Sequence, residues 1–198
     1  MSSPRALAKR VAHATLARTA QAHAALAYLT GGMDGVTRVV RHTTRPGIVA
    51  ILRLFGARIG EGCDIEAPLV LHNARPDFRH LTVGPRCHLG KDVFIDLADT
   101  VTIAERVTVS MRAVILTHVD PGQSPLALDV LPARHAPVTL GPGCYIGAGA
   151  IILAGVEIGE RAVVGAGAIV TRPVPPFTVA AGSPARTLRT IAPPARET

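Results

Sequence analysis

The sequence contains no tryptophan and only four phenylalanines and two tyrosines in 198 residues. A core anchored on large aromatic rings is therefore excluded, and small aliphatic side chains must do the packing. Cysteine is scarce too: Cys63, Cys87 and Cys144 include no CxxC pair. An odd count without that spacing argues against a disulfide framework or a zinc-binding thiolate pair, and suits a reducing compartment. No run reaches the roughly 18 apolar residues that a membrane-spanning helix requires. The longest candidate, Ile48 to Phe55, is interrupted by Arg53. The N-terminal stretch has no compact apolar core of the secretory type, so a cytoplasmic location is expected.

Acidic residues are nearly missing from the first 58 positions, where Asp34 alone stands against nine Lys and Arg; this gives a local charge of +8, and the remainder sums to −1. A basic N-terminal module can meet an acidic partner, or it can simply present a solvated helix face. Pro4 can open a helix behind a Ser3 cap, running through alanine-rich sequence to about Leu29 before Gly31 and Gly32. A second helix is expected over 35–42, and the apolar run after Pro46 as a short helix that closes the end of the next domain.

What the chain does contain is a six-residue period. From Ile59 it reads IGEGCD, IEAPLV, LHNARP; from Val83, VGPRCH, LGKDVF, IDLADT; from Ile103, IAERVT, VSMRAV, ILTHVD. Six further units run without a break from Leu140: LGPGCY, IGAGAI, ILAGVE, IGERAV, VGAGAI and VTRPVP. Each starts with an aliphatic residue, often has a small residue second, and has a small or aliphatic residue fifth. The first residue is expected to point into the bore of a coil and stack on its equivalents above and below. Glycine is expected to supply the positive φ of tight corners. Three units make one triangular turn. The three cysteines all fall at fifth positions and are expected as buried, free thiols.

This pattern resembles the hexapeptide-repeat, left-handed parallel β-helix acyltransferases, over residues 59–175 and on to about Arg189. The resemblance implies a mainly β fold of three parts: a basic helical extension and cap (1–58), a left-handed β-helix (59–175), and a C-terminal tail (176–198) against a coenzyme A site. The period breaks at 77–82, at Val101 and Thr102, and over 119–137. Insertions into a coil must leave it as loops, so the 119–137 excursion is the expected functional loop.

His118, in ILTHVD before that excursion, is the strongest catalytic candidate, because an imidazole titrates near operating pH. The closest resemblance is to the sugar and xenobiotic O-acetyltransferase branch, which implies that His118 deprotonates an acceptor hydroxyl. In the serine acetyltransferases a histidine follows an aspartate one coil earlier; here Leu97 follows Asp96, which argues against that branch. Asp96, Asp120 and His135 are candidate acceptor contacts. The resemblance implies that acetyl-CoA is the co-substrate. Ala148 and Ala166 would offer backbone groups to its pantetheine, and Thr171, Arg172, Arg186 and Arg189 would serve its phosphates and nucleotide. The expected assembly is a homotrimer with sites between neighbouring coils, and the acceptor a saccharide or other small molecule. No metal and no nucleic acid are expected. The N-terminal charge raises an acyl carrier protein as an alternative donor.

Two other classes are weighed. A γ-type carbonic anhydrase would need His88, His118 and His135 to converge on zinc, although the closely spaced histidine pair of that class is absent. A non-catalytic β-helix platform would need neither His118 nor the arginines after the coil.

Overall fold

The computed structural model describes residues 4–192; Ser3, the expected helix cap, lies outside them. Helix α1 spans Pro4–His42 and is broken at Gly32, whose φ of 57° and ψ of −149° no helix accommodates. The second segment turns back along the first so closely that a Cβ on Gly35 would stand 2.2 Å from the carbonyl oxygen of Ala27. Helix α2, Gly47–Leu54, buries Gly47, Ile48, Ile51 and Leu52 on one stripe. That i, i+3, i+4 spacing turns one helix face onto the coil, and Ile48, Ile51 and Leu52 join the core that contains Ile59 and Ile65. Phe55, just past α2, packs against Tyr28 at 5.7 Å and Phe78 at 6.2 Å between ring centroids. Phe78, from the 77–82 insertion, is fully buried, so that extra length plugs the lower end of the coil.

The coil climbs through three strands per turn. The first turn holds β1 (Arg58–Ile59), β2 (Asp64–Ile65) and β3 (Leu69–His72); the second β4 (Leu81–Val83), β5 (His88–Leu89) and β6 (Val93–Asp96). The third holds β7 (Val101–Ile103), β8 (Thr108–Val109) and β9 (Val114–Ile115), after which β10 (His118–Val119) and β11 (Arg134–His135) leave it. It resumes with β12 (Val138–Leu140), β13 (Tyr145–Ile146) and β14 (Ile151–Ile152), then β15 (Glu157–Ile158), β16 (Val163–Val164) and β17 (Ile169–Val170). Every third coil strand pairs in parallel, giving three faces: β1-β4-β7-β12-β15, then β2-β5-β8-β13-β16, then β3-β6-β9-β14-β17. The protein is thus a β-solenoid of parallel strands with an N-terminal helical region.

The first residue of every unit, from Ile59 to Val170, is buried. Each such aliphatic side chain contributes about 1.5–3 kcal/mol relative to exposure, so the column of stacked Ile, Leu and Val is the main source of stability. The fifth position is also inward: Cys87 and Cys144 are buried, and Cys63 is half-buried. Burial pushes the Cys144 thiol up to about 12.

The structure corrects the expected reason for the second-position glycines. Left-handed φ occurs at the fourth position instead, for example at Gly62, Arg86, Arg106, Gly143 and Arg161. At the second position the constraint is the neighbouring turn: a Cβ on Gly141 would lie 2.8 Å from the amide nitrogen of Glu160, and one on Gly147 would lie 2.4 Å from that of Ala166. At the corners that follow the first and second faces the third position has its own signature. Its carbonyl accepts from the turn above, as Pro142 O does from Arg161 N at 2.8 Å and Ala148 O from Gly167 N at 2.9 Å, while its amide bonds no backbone acceptor; after the third face, by contrast, Leu97 N bonds His72 O at 2.8 Å. Proline, which lacks that amide, is therefore accommodated there, at Pro85, Pro142 and Pro176.

The C-terminal segment is more than a wrap. Strand β18 (Thr178–Gly182) adds a parallel rung above β16, and β19 (Ala185–Thr190) folds back antiparallel as the edge of the second face. Among the described residues no helix is long and apolar enough to cross a membrane. Two arginines of the basic N-terminal module face acids of the first turn: Arg45 pairs with Asp64 and Glu66, and Arg53 with Glu61 at 2.9 Å.

Candidate active site

The site forms where the third face turns into the first. Strand β6 pairs with β3 in a register that sets Asp96 directly above His72. Alternation along β6 buries Ile95 in the bore and would send Asp96 outward, yet the next turn folds over it and its exposure is 0%. A buried carboxylate must be fully hydrogen-bonded. Here Oδ2 accepts from the Thr117 amide at 2.9 Å and the Thr117 hydroxyl at 2.8 Å, and Oδ1 accepts from Asn73 Nδ2 at 2.8 Å and the Ala98 amide at 3.3 Å.

The remaining partner of Oδ2 is Nδ1 of His118, 2.6 Å away. Burial pushes the Asp96 carboxyl up, but the hydrogen bonds from His118, Thr117 and Asn73 outweigh it and hold the group well below the usual carboxylate range. An ionised carboxylate can only accept, so the proton of the pair sits on Nδ1 and the lone pair on Nε2. A buried acid, an oriented imidazole and a second ring nitrogen facing away from the acid can together serve as a general base. His118 keeps 24% of its side chain exposed, which leaves the ring open to a ligand.

Of the expected acceptor contacts, the structure brings His135 to His118 and not Asp120. The excursion is an antiparallel ribbon at its base, with His118 opposite His135 and their rings stacked 6.1 Å apart. Asp120 is exposed and its Oδ1 closes a turn by accepting from the Gly122 amide at 2.7 Å. Asp96 is corrected in role: it has no exposed surface to offer an acceptor and instead holds His118 from behind. His72 was missed by the sequence reading. Its ring stacks on His118 at 6.2 Å and its Nδ1 lies 3.7 Å from Asp96 Oδ1. Asn73 and Thr117 were missed as well. The available signal was that LHNARP and IDLADT share a register 24 residues apart, which stacks His72 beneath Asp96.

The carbonic anhydrase trio does not assemble. His88 lies on the second face, bonded to Asp64 at 3.0 Å, whereas His118 and His135 stand at the junction of the third and first faces. Among the described residues no group of three or more His, Cys, Asp and Glu is placed to hold a metal ion.

The residues expected to hold the donor occupy two places. Ala148 and Ala166 stack at the junction of the second and third faces, one turn apart, and neither amide bonds a backbone carbonyl. Thr171 and Arg172 are exposed past β17, on the same junction as His118 and two turns above it. Arg186 and Arg189 are exposed on β19. Within one chain the third face separates Ala148 and Ala166 from His118. The prolines of the third position sort by junction: Pro85, Pro142 and Pro176 all lie between the first and second faces, while Lys91, Met111, Ala148 and Ala166 keep every amide on the junction expected for pantetheine.

Residues 137–172 match the family described as bacterial transferase hexapeptide (six repeats). The chain is similar to galactoside O-acetyltransferase of Escherichia coli, 28% identical over 152 residues that cover 72% of this chain and 68% of the relative. It is also similar to serine acetyltransferase of Mycobacterium tuberculosis, 33% identical over 147 residues that cover 72% of this chain and 61% of the relative. Among solved structures, galactoside acetyltransferase in complex with coenzyme A superposes with a TM-score of 0.69 at 25% identity, over 85% of this chain and 82% of that one. The chain thus carries a match to the bacterial transferase hexapeptide family over residues 137–172 and has the fold of galactoside acetyltransferase.

Proposed function

We propose that the protein is an acetyl-CoA-dependent O-acetyltransferase acting on a hydroxyl of a saccharide or related acceptor. The observation that carries this reading is the 2.6 Å bond between His118 Nδ1 and the buried Asp96 carboxylate beside the exposed ribbon. Nε2 of His118 takes the proton of the acceptor hydroxyl as its oxygen attacks the thioester carbonyl. A backbone amide holds the developing oxyanion, and the imidazolium then returns the proton to the departing CoA sulfur. Ionised Asp96 stabilises that imidazolium through Nδ1.

Ala148 and Ala166 supply amides to the pantetheine, and Thr171, Arg172, Arg186 and Arg189 meet the phosphates and nucleotide. The separation of Ala148 and Ala166 from His118 across the third face favours a site shared between copies, with the pantetheine amides of one chain facing the base of another. A homotrimer meets this requirement with three equivalent sites. The names of the relatives, which include galactoside and serine acetyltransferases, agree with acetyl transfer to a hydroxyl. Release of CoA from acetyl-CoA, followed with a panel of saccharides, natural-product alcohols, amines and L-serine, tests the reading. Turnover with a saccharide that vanishes in His118→Ala is expected. Turnover that survives this substitution removes the base, and turnover with L-serine alone reassigns the acceptor.

A further inference from the structure

Ahead of its break at Gly32, helix α1 turns small residues inward and large apolar ones outward. Ala24 is buried, and Ala20 and Ala27 are half-buried. Ala20 approaches α2 so closely that a Cβ on Gly47 would stand 2.7 Å from the Cβ of Ala20. Leu26 and Leu29, by contrast, are 60% and 81% exposed, and Val11 is 58% exposed. Val11 and Leu29 are separated by about five whole helical turns, so they share one azimuth. Arg18, Ala22 and Leu26 stand at the i+7, i+11 and i+15 positions from Val11, all exposed, and complete an outward stripe about 27 Å long. From Val11 to Leu16 every residue is exposed, although that span exceeds a full turn. That stretch has no buried side, and so lacks the tertiary packing that supplies most helical stability in proteins.

We infer that this stripe docks the protein on an anionic lipid membrane, with the helix lying in the plane of the headgroups. Charge selects that occupant. Residues 4–31 include Arg5, Lys9, Arg10 and Arg18 and no acid. A second copy of the stripe would bring the same cations against these, which is repulsive. The acids of the first coil turn are already engaged, Asp64 and Glu66 by Arg45 and Glu61 by Arg53. An anionic bilayer meets both demands of the stripe at once. Val11, Leu26 and Leu29 enter the boundary between headgroups and acyl chains, and Arg18 runs its aliphatic stem along that boundary to put its guanidinium among the phosphates. Each cation near such a surface strengthens binding about fivefold. A straight, convex stripe also matches a plane better than it matches a pocket. Among the described residues no helix is long and apolar enough to cross a bilayer, so the contact is made on the surface.

The test is flotation of the full-length protein with two kinds of vesicle, one of phosphatidylcholine alone and one holding about one-third phosphatidylglycerol. Binding to the anionic vesicles is expected to exceed binding to the neutral ones by about tenfold or more at low salt, and most of it should vanish near 1 M salt, where charges are screened within about 3 Å. Arg18→Gln is expected to weaken the binding about fivefold, and Leu26→Gln with Leu29→Gln about tenfold. All three side chains are exposed, so the melting temperatures of these variants should match that of the wild type. Leu128→Gln, at a still more exposed leucine on the ribbon, is the control and should leave vesicle binding unchanged. Equal binding to both kinds of vesicle, binding to neither, or an equal loss in Leu128→Gln overturns the inference. An oligomer that forms without lipid and comes apart in the Leu26→Gln, Leu29→Gln variant overturns it too, and gives the stripe to a second copy of the chain.

Discussion

At the scale of single residues the protein turns on Asp96, a carboxylate with no exposure that is kept ionised by five hydrogen bonds from Asn73, Ala98, Thr117 and His118. Asp96→Asn preserves shape but removes the charge that fixes the His118 tautomer, so kcat is expected to fall by about 10²–10⁴ with little change in either KM. Steady-state kinetics under saturation with each substrate checks this. The same group makes stability depend on pH. Its folded value lies below its ordinary 3.8, so its contribution is complete above that pH and is lost as pH falls through the depressed value. The gap in melting temperature between wild type and Asp96→Asn should accordingly be constant near neutrality and narrow below about pH 4. In the sequence His118 was legible, because it lies in the last hexad before the longest interruption. Asp96 was visible as a residue but not in its role. Its burial depends on Thr117 from the following turn, and local spacing around IDLADT carries no trace of that tertiary contact.

At the scale of elements, each hexad position answers to a different physical demand, and the unit LGPGCY separates two of them. Gly141→Ala places a Cβ 2.8 Å from backbone of the turn above, while Gly143→Ala meets only a flexible arginine side chain at 3.4 Å but must hold a φ of 65°. The first is expected to cost about 1–3 kcal/mol or more, since backbone cannot step aside. The second is expected to cost about 1–2 kcal/mol, the ordinary penalty for a left-handed residue with a side chain. Urea unfolding of the two variants should rank them in that order; the reverse would return the second-position glycines to a conformational role. The period itself was fully legible, because Ile, Leu and Val at six-residue intervals encode the bore directly. The distinction between second and fourth positions was not, because close approach between turns is invisible in a one-dimensional pattern. The plug made by Phe78 was also hidden, since the sequence marks 77–82 only as surplus length.

At the scale of the whole molecule, the proposed function sets its base and its donor amides on different junctions, so it calls for a neighbouring copy. Co-expression of His118→Ala with a second inactive variant, Ala166→Trp, which would block the donor junction, should restore about a quarter of wild-type turnover on random assortment in a trimer. A mixture that stays inactive, or a protein that sediments as an active monomer, would place the whole site within one chain. The N-terminal charge, which composition leaves open between an acidic partner and a solvated helix face, is partly an internal matter. Arg45 and Arg53 fasten the helical cap to Asp64, Glu66 and Glu61, contacts that a count of charges could not assign. The sorting of prolines among the junctions carries a different consequence. Pro142 sits at the same height as Ala148 on the neighbouring edge, yet its ring deletes the one hydrogen that a ligand could grasp there. Edge chemistry in this protein is thus written in the backbone, by subtraction. A designer could erase the donor at Ala166 with Ala166→Pro, or open a new one with Pro142→Ala, without changing a single functional side chain.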